Sequence, residues 1–168
     1  MKIIDIINSG KRSLSFEVFP PKNEMGFESV KSATEEIAKL KPSFMSVTYG
    51  AGGGTSKFTL DIAKNIKEMY NVPTLAHLTC VSSTKETVKE KIKQIKEAGI
   101  QNVMALRGDI PESLLGQDRT KWDYKYAIDL IYELKAKMKI FVSDARAILK
   151  FILKVQIKKK ILCILKKR

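Results

Sequence analysis

The chain has 168 residues and a mass of 19.0 kDa, which is enough for one domain. Its hydrophobic content of 44% is sufficient for a folded core and excludes a disordered chain. The net charge of +13 first suggests a partner such as nucleic acid or an acidic membrane, but residues 1–134 carry a net +2 and residues 135–168 carry the other +11.

Four β-favouring segments alternate with four amphipathic helical segments along the near-neutral part of the chain. In chain order we predict a strand at Ser15–Phe19, a helix at Phe27–Leu40, a strand at Ser43–Val47, a helix at Thr59–Tyr70, a strand at Thr74–Leu78, a helix at Lys85–Ala98, a strand at Asn102–Leu106 and a helix at Tyr126–Met138. Ser83 and Thr84, followed by Glu86, are predicted to begin the third helix, and Gly99 is predicted to end it. This alternation predicts an α/β protein with a parallel sheet.

Two architectures fit four strand–helix units. One is a small open sheet with helices on both faces, and the other is the N-terminal half of an eight-unit (β/α) barrel, a TIM barrel, which needs ~250 residues in full. Polar residues occur in or just after each predicted strand, at the edge where parallel α/β proteins place their active sites. This placement favours the barrel.

Glu17 lies between Phe16 and Val18 in the first predicted strand. A carboxyl surrounded by apolar side chains keeps its proton to higher pH, which is the property of a general acid. The alternative is a glutamate that faces solvent at the edge of a strand.

Two loops contain residues suited to anion binding. The segment Gly50–Lys57 is rich in glycine but lacks the Gly-Lys-Ser/Thr ending of a triphosphate-binding loop, so a flexible connection is the alternative. The segment Arg107–Asp109 combines an arginine for a phosphate with an aspartate for a heterocycle N–H, and a local ion pair at a turn is the alternative.

No metal site is predicted. His77 is the only histidine, and it has no cluster of cysteines or carboxylates beside it in the sequence. The two cysteines, Cys80 and Cys163, lie far apart, which indicates a reduced, cytoplasmic setting without disulfides. The N-terminus lacks the pattern of a signal peptide, and no apolar run approaches the ~18 residues that span a bilayer.

Four segments together resemble the methylenetetrahydrofolate reductase family. They are Ser15–Lys22, Ser46–Ala51, Ala76–Cys80 and Ala105–Asp109, and both their order and their spacing fit. The resemblance covers about residues 13–137. It implies a (β/α) barrel that binds FAD, takes hydride from NAD(P)H and reduces 5,10-methylenetetrahydrofolate to 5-methyltetrahydrofolate, a step of one-carbon metabolism and methionine synthesis.

The resemblance also implies roles for individual residues. Glu17 would be the general acid that opens the folate ring, and the charge of Asp109 would help to hold the cationic intermediate and would face the flavin. Residues matching the family's flavin or nicotinamide contacts are Thr48, Tyr49, Ala51, His77, Arg107, Gly108 and Tyr126. Full-length relatives assemble into homo-oligomers, and we expect a folate substrate without nucleic-acid or membrane partners.

After the fourth predicted helix the chain departs from the family. The family continues into a Tyr-Pro-Glu-x-His-Pro-Glu segment, whereas residues 139–168 form a Lys/Ile/Leu-rich tail with helical character. Codons allowed for Lys137–Ile157, read two nucleotides later, can encode the missing segment. We therefore predict that a barrel-type domain covers residues 1–138 and that residues 139–168 are out-of-frame translation, which the DNA sequence around codon 137 tests.

A half barrel is expected to have weak activity or none.

Two alternatives remain open on the sequence. Lys150–Arg168 could form a basic amphipathic helix that binds anionic membrane or RNA without any enzymatic activity. The chain could also be a different flavin- or phosphate-binding α/β protein with an open sheet.

Overall fold

The computed structural model of the chain describes residues 1–21, 23–49, 56–137 and 141–144. In chain order its elements are α1 (Ile3–Asn8), β1 (Ser15–Val18), α2 (Phe27–Lys39), β2 (Phe44–Val47), α3 (Ser56–Tyr70), β3 (Thr74–Thr79), α4 (Lys85–Glu97), β4 (Asn102–Leu106), α5 (Ala127–Lys137) and β5 (Phe141–Asp144). Short 3₁₀ turns occupy Glu24–Gly26, Glu112–Leu114 and Arg119–Lys121. All four strands and all four helices predicted from the sequence are present, with ends shifted by a few residues.

The five strands form one parallel sheet in the order β1-β2-β3-β4-β5. A doubly wound sheet reverses its strand order at a switch point, whereas a barrel adds each new strand beside the last. Helices α2 to α5 contribute to one apolar core with the same face of the sheet. The α/β class is confirmed, and the sheet has the winding of the N-terminal part of a barrel rather than that of an open sheet with helices on both faces.

Alternation along the strands separates the two faces of the sheet. Odd and even residues of a strand point to opposite sides, so one set meets the helices and the other set faces away. The side chains of the sheet that pack against the helices are Val18, Met45, Val47, Ala76, Leu78, Val103 and Ala105. Opposite them lie the apolar stripes of the helices, including Ile62, Ile66, Val88, Ile92, Ile95, Leu130 and Leu134.

Local hydrogen bonds fix where the helices begin and end. The Oγ1 atom of Thr84 accepts from the backbone N–H of Thr87 at 3.2 Å, so of the two predicted residues Thr84, and not Ser83, is the N-cap of α4. Gly99 follows α4 with a φ of +63°, a conformation that glycine adopts readily. The carboxylate of Asp129 accepts from the backbone N–H groups of Lys125 and Tyr126, both at 2.9 Å, and thereby sets the start of α5.

Two elements were not predicted from the sequence. Helix α1 lies on the face of the sheet opposite to α2–α5, where Ile3 packs with the inner-face residues Phe44, Leu75 and Met104. Strand β5 pairs with β4 in the register Asn102↔Phe141 to Ala105↔Asp144, beyond the predicted domain end at residue 138. The remainder of the predicted basic tail, residues 145–168, lies outside the described residues.

No helix among the described residues is both long and apolar enough to cross a membrane. Within the same part of the chain, no three histidine, cysteine, aspartate or glutamate side chains lie together in a way that could hold a metal ion.

Candidate active site

The polar residues predicted to carry chemistry lie at the carboxyl ends of four neighbouring strands. Backbone hydrogen bonds continue the sheet beyond the strand ends: the N–H of Thr48 donates to the carbonyl of Val18 at 2.9 Å, and the N–H of Val81 donates to that of Arg107 at 2.7 Å. Because the strands are parallel and adjacent, these ends form one continuous edge. The sheet therefore brings the ends of β1, β2, β3 and β4 together, as the sequence predicts.

Glu17 lies on the inner face of β1, and its side chain is half exposed. Its sequence neighbours Phe16 and Val18 both pack toward the helix-side core, so they do not surround the carboxyl. The nearest ionisable partner is instead on β3: the Oε1 atom of Glu17 lies 3.6 Å from the Nε2 atom of His77. The two apolar neighbours that the sequence places beside Glu17 therefore lie on the other face of β1, and the carboxyl contacts a histidine.

His77 is buried, with 5% of its surface exposed, and its Nε2 atom has no hydrogen-bond partner among the described residues. A buried polar atom without a partner costs about 1–3 kcal/mol. Burial also lowers the pKa of His77 to about 4, since desolvation disfavours the charged imidazolium. The imidazole is therefore neutral at pH 7.

The second strand contributes Thr48 and Tyr49 directly after its last residue. The backbone carbonyl of Thr48 accepts a hydrogen bond from the Thr59 hydroxyl at 2.9 Å, which joins the end of β2 to the first turns of α3. The phenol ring of Tyr49 is partly buried against the helix-side core. Ala51 and most of the glycine-rich loop, at residues 50–55, lie outside the described residues.

The segment Arg107–Asp109 leaves β4 with both charged side chains exposed. The Nε–H of Arg107 donates to the carbonyl of Gly108 at 3.1 Å, which orients the guanidinium. Gly108 has a φ of +84°, and a Cβ atom there would lie 2.9 Å from Cγ1 of Val81 and 3.1 Å from Cβ of Thr79. Only glycine lets the chain turn this closely against the end of β3.

A cleft of about 210 Å³ opens beside Arg107. Its lining combines three cationic side chains with two aromatic rings and is formed by Arg107, Ile110, Arg119, Thr120, Trp122, Lys125 and Tyr126. Guanidinium and ammonium groups bind phosphates, and aromatic faces stack on flat heterocycles. The cleft thus suits part of an anionic nucleotide.

The family resemblance assigned flavin contacts to Arg107 and Tyr126, but the sequence predictions did not include Arg119, Trp122 and Lys125. These three lie in the connection between β4 and α5, where basic and aromatic residues alternate over residues 119–126. That alternation is the signal that could have identified them. Helix or strand periodicity does not reveal it, because the residues of this connection follow neither spacing.

Cys80 follows β3 and is fully buried. Its thiol donates a weak hydrogen bond to the carbonyl of Tyr126 at 3.6 Å, so it helps to place the start of α5 beside the end of β3. Burial, with a smaller effect from the Asp129 carboxylate, raises the pKa of the thiol to about 11. At neutral pH it is therefore a packing residue and not a nucleophile.

Comparison with known proteins gives a consistent picture. The sequence model of the methylenetetrahydrofolate reductase family matches residues 2–144, which includes β5. Methylenetetrahydrofolate reductase (NADH) 1 of Zea mays is 40% identical over 139 residues, covering 81% of this chain and 23% of the relative. The 5,10-methylenetetrahydrofolate reductase of Pectobacterium carotovorum subsp. carotovorum is 40% identical over 126 residues, covering 75% of this chain and 40% of the relative. The chain thus spans between 23% and 40% of the length of these relatives.

Proposed function

The chain belongs to the methylenetetrahydrofolate reductase family, and we propose that it carries the N-terminal part of a reductase active site. The proposed reaction is the reduction of 5,10-methylenetetrahydrofolate to 5-methyltetrahydrofolate by NAD(P)H, with FAD as the cofactor. The observation that carries this proposal is that Glu17, His77, Arg107 and Asp109 lie in or just after neighbouring parallel strands at their carboxyl ends, with Glu17 and His77 in contact. Each element supplies a polar group where a ligand of a barrel would lie.

The cleft beside Arg107 supports FAD as the ligand. Arg107, Arg119 and Lys125 offer positive charge for a phosphate, and Tyr126 offers an aromatic face for a ring. When bound, FAD supplies a carrier for hydride between the nicotinamide and the folate. The cationic side chains of the cleft would hold the anionic end of the dinucleotide.

Glu17 and Asp109 would have different roles in the reduction of the folate. Glu17 is half exposed on the inner face, where a ligand can reach its carboxyl, and it would donate a proton to the nitrogen that leaves when the five-membered ring opens. Asp109 is exposed at the end of β4, and its negative charge would stabilise the positive charge that then develops on the folate.

We expect the chain by itself to retain little flavin and to show weak reductase activity or none. The described residues supply five parallel strands, whereas a closed barrel of this type has eight. The expectation is checked by mixing the purified chain with FAD, removing the excess by gel filtration and measuring the flavin absorbance. Stoichiometric, tightly held flavin would contradict it.

The proposed reaction is tested by fusing residues 1–137 to the remaining part of the Pectobacterium relative. We expect the fusion to hold flavin, to bleach it with NADH in the absence of oxygen and to reduce the folate. Glu17→Gln should lower folate reduction by about 10²- to 10⁴-fold, because the proton donor is removed, and should leave NADH-dependent bleaching intact. Glu24→Gln, at an exposed position in the turn after β1, is the matched control and should change neither rate.

Two results would overturn the proposal. One is a fusion that folds but neither holds flavin nor reduces the folate. The other is a Glu17→Gln fusion that reduces the folate as fast as its parent.

A further inference from the structure

Glu17 and His77 meet across an intervening strand. Glu17 is paired in register with Ser46 of β2, and Ser46 is paired with Leu75, two residues before His77 on β3. The two side chains therefore meet across β2, which lies between their strands. This contact joins the first and third strands on the inner face.

The two partners differ in their freedom to move. His77 is 5% exposed, so its ring is held by its surroundings, whereas 46% of the Glu17 side chain is exposed. The distance of 3.6 Å between Oε1 and Nε2 is longer than a hydrogen bond by about half an ångström. A small rotation of the exposed glutamate closes that gap.

The state of the Nε2 atom decides which partner donates in this contact. It is buried and has no hydrogen-bond partner within the described part of the chain, and the only ionic partner found for it there is the Glu17 carboxyl. A neutral imidazole carries one ring proton, on either Nδ1 or Nε2. A carboxylate facing Nε2 favours the form with the proton on Nε2, because that form can donate to it.

We propose that His77 is a positioning residue for Glu17, donating a hydrogen bond from Nε2–H to the Glu17 carboxylate. His77 keeps its ring proton throughout and exchanges none with Glu17. The hydrogen bond stabilises the carboxylate that remains after Glu17 has given its proton to the folate nitrogen, and it holds that carboxylate above the inner face of the sheet. The catalytic consequence rests on the proposed function, whereas the hydrogen bond itself does not.

The single histidine of the chain makes the first test direct. The ¹⁵N chemical shifts of its two ring nitrogens, measured at pH 7 on the whole chain without flavin, report which nitrogen carries the proton. We expect the proton on Nε2 in the parent chain. Glu17→Ala should move the Nε2 shift toward a mixture of the two forms, and Glu24→Ala, which removes an exposed carboxyl from the turn after β1, should leave it unchanged.

A second measurement detects the contact through the Glu17 carboxyl group. His77→Gln keeps an N–H donor of similar reach, whereas His77→Leu removes it and preserves much of the bulk. We expect the ¹³C shift of the Glu17 carboxyl to stay near the parent value in His77→Gln and to change in His77→Leu. A purely structural role of His77 would move the shift equally in both variants.

The proposal is overturned if Glu17→Ala leaves the Nε2 shift unchanged, or if the parent chain carries the ring proton on Nδ1. Should His77→Leu fail to fold, the Glu17→Ala measurement decides the matter alone. These readouts need neither flavin nor folate, so their failure is separable from failure of the fusion to reduce the folate.

Discussion

At the scale of single residues, strand alternation decides what Glu17 can do. Its neighbours in the sequence are apolar, but they point to the opposite face of β1, and the carboxyl meets a residue sixty positions away. His77 in turn is a buried strand histidine, and its Nε2 atom, which has no hydrogen-bond partner within the described residues, faces the carboxyl. The chemistry of this pair depends on a contact that neither residue's local sequence contains.

Gly108 permits a residue-scale prediction about the turn that presents Arg107 and Asp109. Gly108→Ala places a Cβ atom 2.9 Å from Val81 and 3.1 Å from Thr79, in addition to straining a backbone with φ of +84°. We expect the free energy of unfolding to fall by about 2–4 kcal/mol, since overpacking and strain add. Urea denaturation followed by circular dichroism measures the loss.

Gly116→Ala is the matched control for that measurement. Gly116 has nearly the same φ, +83°, but nothing lies within 4 Å of the added Cβ. Its cost should be limited to the backbone strain, about 1 kcal/mol. Equal losses in the two variants would show that the close approach to β3 is unimportant.

At the scale of elements, one buried side chain, Asn102, makes hydrogen bonds that hold α1 to the sheet, in addition to the packing of Ile3. The Oδ1 atom of Asn102 accepts from the backbone N–H of Ile3 at 2.9 Å, and its Nδ2 group donates to the carbonyls of Met1 and Thr74, both at 3.2 Å. Asn102 is 2% exposed, and its bonds to Ile3 and Thr74 are buried, whereas the bond to Met1 is partly buried. The asparagine joins the N-terminal segment to two strands.

Asn102→Ala is therefore expected to loosen α1. It removes three hydrogen bonds and leaves buried backbone groups unpaired, which should lower the free energy of unfolding by about 2–4 kcal/mol. Hydrogen exchange at the amide of Ile3 should accelerate by more than the global change in stability explains. Mass spectrometry of exchanged N-terminal peptides measures this directly.

Gln101→Ala provides the comparison at the neighbouring position. The Oε1 atom of Gln101 accepts from the N-terminal ammonium at 3.1 Å, but this contact is exposed. Its loss should change stability by no more than about 0.5 kcal/mol. The role of Asn102 in holding α1 would be refuted if Asn102→Ala lowered the free energy of unfolding no more than Gln101→Ala does.

At the scale of the whole molecule, the sheet has an edge at β1. Within the described residues β1 pairs only with β2, so its other side presents backbone donors and acceptors. Leu14 and Phe19, which flank β1, are 59% and 68% exposed. Edges of this kind favour association with a second strand.

We expect the chain to self-associate through this edge at micromolar concentration. Leu14→Lys should weaken the association, because a charge beside an edge strand opposes pairing. Sedimentation velocity over a concentration series measures the change. Met25→Lys adds the same charge at a residue that is 93% exposed in the turn after β1 and should leave association as it was; equal effects of the two variants would rule out the edge.

The sequence by itself determined the alternation of strands and helices, the family and the edge of the sheet that carries the polar residues. These features follow from local periodicity and from short motifs, which neighbouring residues specify. Helix α1 and strand β5 escaped prediction because both are short: α1 has six residues and depends on the inner face of the sheet and on Asn102, and β5 has four residues paired with β4.

Only the tertiary structure decided which residues meet. It distinguished a barrel-type winding from an open sheet, because strand order is a property of long-range pairing. It also showed that Glu17 contacts His77 and not its apolar sequence neighbours. In addition, it showed that Arg119, Trp122 and Lys125 lie beside Arg107. The physical reason is the same in each case. Pairing of parallel strands brings together side chains that lie tens of residues apart in the sequence, and a local sequence pattern does not show which distant residues will be in contact.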